Sequence, residues 1–76
     1  MREYKFQSIY YSGNTVIWKR SYLKLENALS MALKVLVVEG GLKDVIEVHK
    51  KESGKIYGAV RKSGKNSAKV DWDWGK

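Results

Sequence analysis

The residues that could do chemistry are few. His49 is the sole histidine, and Asp71 and Asp73 flank Trp72 at the two-residue spacing that places both carboxylates on one side of a strand. One imidazole and two remote carboxylates complete neither a metal shell nor a hydrolytic relay. The chain has no Cys, which removes disulfides, thiolate ligands and a sulfur nucleophile. It carries no Gly-rich phosphate loop ending in Gly-Lys-Ser/Thr, no G-x-S-x-G and no H-E-x-x-H. An enzyme is therefore not expected, nor a cofactor, and Asp71 and Asp73 read as solubilising charges or as partners for nearby lysines.

Charge is the strongest compositional signal. Fifteen basic against eight acidic residues leave a net charge of +7. The excess is concentrated: residues 50–69 hold Lys50, Lys51, Lys55, Arg61, Lys62, Lys65 and Lys69 against Glu52 alone. A local positive field of this kind attracts polyanions such as nucleic acid, an acidic protein surface or anionic lipid. These seven residues, with Tyr57 among them, are the candidate binding set for a nucleic acid or a host nucleoprotein or acidic protein surface. They are expected along one sheet edge, two turns and the strand between them. A plainer reading has the same lysines discouraging edge-to-edge aggregation. Six of the seven are lysines, which make point-charge contacts and poor bidentate base readout, so little sequence preference is expected.

Nine aromatic residues are more than a small core can hide. Tyr and Trp are enriched at interfaces and serve as stacking platforms for nucleobases. Tyr11, Trp18, Tyr57, Trp72 and Trp74 supply the expected contact residues, while Phe6 is expected inside.

Two alternating periods position these groups. Residues 3–11 alternate as a strand, Ser12-Gly13-Asn14 makes a turn, and residues 15–20 form a second strand, giving a hairpin. From Ser21 to Glu39 the period changes to that of a helix, with Leu25, Ala28, Leu29, Ala32, Leu33 and Leu36 on one face. Ser21 is one candidate N-cap, with a start a few residues later as the alternative, and Gly40-Gly41 is the expected stop, through a left-handed glycine. Leu25, Leu29, Leu33 and Leu36 are expected to be buried. A second apolar line, Met31, Val35 and Val38, is expected either to be covered by the C-terminal tryptophans or to meet a second chain. Met31, Val38, Trp18, Trp72 and Trp74 are thus candidate interface residues, and a homodimer is one expectation. Residues 42–50 and 55–62 read as further strands around a turn at residues 51–54. Ser63 to Asn66 is a second turn, and residues 70–74 alternate as a short terminal strand that is equally open to fraying.

The order ββαββ(β) predicts a two-layer α+β fold, with one helix on one face of an antiparallel sheet of four to five strands. Seventy-six residues allow one small domain, 1–76, with 70–76 as its terminal strand or frayed tail. The longest aliphatic run is Val35 to Val38, so no membrane association is expected. The start, Met-Arg-Glu-Tyr-Lys, shows no secretory pattern, and a cytoplasmic protein of a bacterial or virus-infected cell is the expectation.

The segment from Lys55 to Lys62 resembles the central strand of RNA-recognition motifs at Lys55, Tyr57, Gly58 and Val60 only. Ala59 stands where that family places a base-stacking aromatic, and one helix is present where two are needed, so none of its residue roles is carried over. In size and element order the chain resembles small phage-encoded inhibitors of the anti-CRISPR type, which share a ββαβββ layout. That resemblance implies a non-enzymatic protein of a phage or mobile element that blocks a nucleic acid or nucleoprotein complex, here through a basic edge. Many such inhibitors are acidic mimics of DNA, and the positive charge departs from them. A low-specificity nucleic-acid-binding module and a structural homodimer with a solubilising basic surface are the alternatives.

Overall fold

In the computed structural model, which describes residues 4–74, the alternating segments form five strands and the 3.6-period segment one helix. In chain order these are β1 (Phe6–Ser12), β2 (Thr15–Tyr22), α1 (Leu25–Glu39), β3 (Asp44–Lys50), β4 (Ile56–Gly64) and β5 (Ser67–Asp71). The strands make one antiparallel sheet in the order β2-β1-β3-β4-β5, and α1 packs on one face. The fold class is the expected two-layer α+β arrangement. The helix is not long and apolar enough to cross a membrane.

Several boundaries differ from the sequence expectation, each for a local reason. Ser21 is not a helix cap. It lies in β2 opposite Gln7, and the helix begins at Leu25 after Lys24, with no side-chain cap. Continuing the β1–β2 ladder satisfies more backbone groups than a cap three residues too early would. The helix does stop at Gly40, but with φ −73° and ψ 147°, an extended and not a left-handed conformation. Glycine is needed there for space: a Cβ would lie 2.7 Å from both Leu36 Cδ2 and the Leu36 carbonyl oxygen. The last strand begins earlier than expected. Lys65 and Asn66 alone make the turn, so Lys69 pairs with Arg61 and Val70 with Val60. Residues 72–74 then form a turn in place of the expected strand, and residues 75–76 of the expected tail lie outside the described residues.

Cross-strand partners share a face, and this assigns the paired side chains of the sheet. Toward the helix lie Trp18, Tyr10, Ile46, Val60 and Val70, one from each strand in register. Tyr10, Ile46 and Val60 are buried with Ala32 and Leu36, and Leu29, Leu33 and Val35 close the sides. The helix therefore presents Ala28, Ala32 and Leu36 as its deepest line, and not the leucines Leu25, Leu29 and Leu33, which are half-buried. Two alanines at the centre let the helix backbone approach the sheet, and the larger side chains splay to either side. Met31 and Val38 remain exposed, so the tail does not cover this flank.

Among the described residues, the opposite face of the sheet has no second layer of regular structure. It carries Lys19 from β2, Ile9 and Tyr11 from β1, Val45 and Glu47 from β3, Ala59 and Arg61 from β4, and Lys69 and Asp71 from β5.

Candidate functional site

The open sheet face gains its shape from the C-terminal turn. After Asp71, the backbone N–H of Asp73 donates to Asp71 Oδ1 at 3.1 Å and that of Trp74 to the Asp71 carbonyl at 3.4 Å. This turn sends Trp74 back across the sheet instead of onward. Its indole Nε1–H donates to Glu47 Oε2 at 2.7 Å, on the central strand. The Arg61 guanidinium lies 5.9 Å from the Trp74 ring centroid, a cation–π distance. Beneath the returning tail, Ala59 is fully buried although it faces away from the helix.

Trp74 thereby walls a cleft of about 340 Å³ whose other sides are Tyr11, Gly13, Lys43, Val45 and Glu47. The rim is fixed by the backbone: the Gly13 N–H donates to the Lys43 carbonyl at 3.3 Å, joining the β1–β2 turn to the loop before β3. Gly13 has φ +61°, a left-handed conformation that glycine adopts without strain. Glu47 sits at the base of the cleft, its other oxygen 2.9 Å from His49 Nε2. At the far side, Arg61 Nε stands 3.6 Å from Asp71 Oδ2, an ion pair too long for a hydrogen bond.

The basic residues singled out from sequence do not lie along one edge. β4 is flanked by β3 and β5, so the strand between the two turns is interior, and the sheet edges are β2 and β5. Lys50, Lys51 and Lys55 gather at the β3–β4 turn, and Lys62 and Lys65 lie toward the opposite end of β4, roughly 23–33 Å from Lys55 at about 3.3 Å per residue. Arg61 and Lys69 occupy the open face between them. Tyr57 packs its ring 5.6 Å from that of Phe6 and is half-buried.

Lys62 is a special case. Its ammonium donates to the Gly40 carbonyl at 2.5 Å, just past the C-terminus of α1. A cation there meets the negative end of the helix dipole. Lys62 is thus part of the fold's own wiring and not a free contact on a turn.

Besides Tyr57, the aromatic candidates divide among three environments. Trp18 is held edge-on to Tyr10 at 5.4 Å, with Arg20 4.2 Å over its ring, and packs against the core. Trp72 lies beside Gly58, where a Cβ would be 3.4 Å from its Cε3, and stays half-exposed. Trp74 and Tyr11 line the cleft. The sequence reading missed Glu47 and Lys43 as neighbours of these rings, since neither stands out by type or spacing. Asp44 is the lone acid in the alternating series Leu42, Asp44, Ile46 and Val48. That acid is buried and accepts hydrogen bonds from the Tyr10 hydroxyl at 2.5 Å and the Gly41 N–H at 2.9 Å.

Comparison with protein-family models, curated proteins and solved structures finds no match for this chain.

Proposed function

We propose that this is a non-enzymatic protein that binds nucleic acid, free or within a nucleoprotein complex, through its open sheet face. One arrangement of charge supports this reading above all. The two carboxylates of that face are occupied internally, Glu47 by His49 and Trp74 and Asp71 by Arg61. The lysines around them, Lys19, Lys43 and Lys69, form no ion pair with a carboxylate among the described residues. The face thus combines lysines without a carboxylate partner with the half-buried rings of Tyr11 and Trp74 at the cleft, and single-strand binding surfaces likewise pair cations for phosphates with aromatic rings for bases.

Layout alone links the chain to small phage-encoded inhibitors, and that link carries no residue. In such a setting the bound nucleic acid would belong to a host complex. A dimer with a merely solubilising charge is separated from this reading by salt. Binding to a polyanion weakens steeply as salt rises, whereas an apolar association does not.

The test is fluorescence anisotropy with a labelled mixed-sequence oligonucleotide over a range of salt. The triple change Lys19→Glu, Lys43→Glu and Lys69→Glu is expected to weaken binding at least tenfold, on the order expected for lost phosphate contacts, and to flatten the salt dependence. Lys50→Glu, Lys51→Glu and Lys55→Glu together, at the far turn, are expected to do less. Absence of salt-dependent binding by the unaltered protein would refute the proposal, and a larger loss from the second set would move the site to the β3–β4 turn.

A further inference from the structure

Resting on the reading just given, we propose that the cleft between Tyr11 and Trp74 receives one unpaired nucleobase, and selects bases that carry an amino group. Its walls and base are of different chemistry. Tyr11 and Trp74 offer aromatic surface, Val45 an apolar base, Lys43 a cation at the rim, and Glu47 the single charged acceptor inside. A carboxylate at the bottom of the cleft repels a phosphate, so the phosphate chain stays at the rim with Lys43 and the flat, uncharged part of a nucleotide enters.

Glu47 then sets the preference. An ionised carboxylate is an acceptor only, with about four lone-pair sites on its two oxygens. His49 and Trp74 each occupy one, on different oxygens, and leave one on each for a ligand. A cytosine 4-amino group donates to such a site, whereas thymine carries the O4 carbonyl in its place, and thymine's one donor on that edge, N3–H, is flanked by two carbonyl oxygens that a carboxylate repels. The Trp74 indole N–H, in holding Glu47, fixes both the acceptor and the plane of one wall.

The experiment compares oligo-dC with oligo-dT of equal length, by anisotropy at fixed salt. The expected result is that dC binds about fivefold or more tightly, the effect of one hydrogen bond to a charged acceptor. Glu47→Gln, which keeps an acceptor for Trp74 but adds a donor, is expected to bring the ratio toward one. Trp74→Leu is expected to weaken both oligonucleotides by about fivefold or more through lost stacking. The dC to dT ratio of the unaltered protein needs no variant to fold. Equal binding of the two would overturn the cleft assignment while leaving nucleic-acid binding intact. Binding of neither at low salt would overturn both. Preference for duplex over single strands of the same sequence would also sink the inference, since a paired base cannot enter.

Discussion

The Tyr10 hydroxyl donates to Asp44 Oδ2 at 2.5 Å, joining the middle of β1 to the first residue of β3 across 34 positions of sequence. Burial by itself would raise the Asp44 pKa. The Gly41 N–H, the hydroxyls of Tyr10 and Ser12, and the Lys62 ammonium outweigh it and hold the carboxyl below its ordinary value. Tyr10 moves the other way: burial first, then the Asp44 hydrogen bond and charge, push it up to about 12.

Both shifts predict a pH dependence of stability. An acid whose pKa is lower in the folded chain stabilises it above its unfolded value, 3.8 for Asp44, and the contribution disappears as pH falls through the folded value. A phenol raised in the folded chain stabilises it below its unfolded value of 10.0, and that is lost as pH rises toward 12. The difference in unfolding free energy between the unaltered protein and Asp44→Asn should therefore shrink as pH drops below 3.8. Urea titrations across this range measure it, and a difference independent of pH contradicts the assignment. Tyr10→Phe should cost about 1–3 kcal/mol at neutral pH by leaving a buried carboxylate oxygen short of a donor.

Lys62 and Lys65 are three residues apart and should respond differently to the same change. Lys62→Ala removes the cation bonded to the Gly40 carbonyl and should cost about 0.5–2 kcal/mol. Lys65→Ala, at an exposed turn position, should stay within about 0.5 kcal/mol. Denaturant unfolding of the two single variants decides the matter, and equal effects would mean that Lys62 plays no part in closing the helix.

The deep line of the helix predicts an order among core substitutions. Leu36→Ala should be the most damaging, about 2–5 kcal/mol, because Leu36 is fully buried among Tyr10, Ile46 and Val60. Leu29→Ala should be milder, since Leu29 is half-buried at the side. Ala32→Leu should also destabilise, by about 1–3 kcal/mol, because it forces the helix off the sheet. A stabilising Ala32→Leu would show that the helix has slack above the sheet.

These relationships mark where sequence legibility ended. The periods of two and of 3.6 disclosed one helix and four to five strands, since each reports which face is buried. They could not disclose that β4 is interior, because pairing order depends on which strands meet and not on the pattern within one. The leucines outweighed Ala28 and Ala32 in the apolar count, although small residues are what close approach requires. Trp74 alternates with Trp72 as if continuing a strand, yet a turn at residues 72–74 carries it to the open face. That turn depends on Glu47, 27 positions away, as a hydrogen-bond partner.

The unbroken register between β1 and β3 also has a kinetic meaning. Three of the four strand pairs join neighbours in sequence, across short turns, and each contains an irregularity. The β1–β3 pair alone spans the helix, and it runs straight from Phe6–Lys50 to Ser12–Asp44. The chain thus consists of a β1–β2 hairpin and a β3–β4–β5 meander, each able to zip locally, with one long-range seam between them. Closing that seam costs the entropy of a loop containing β2 and α1. The helix shortens the loop as it forms and docks on both halves. The rate-limiting encounter in folding is then the meeting of these two halves, and substitutions at the seam should slow folding, whereas those in the outer hairpins should chiefly speed unfolding.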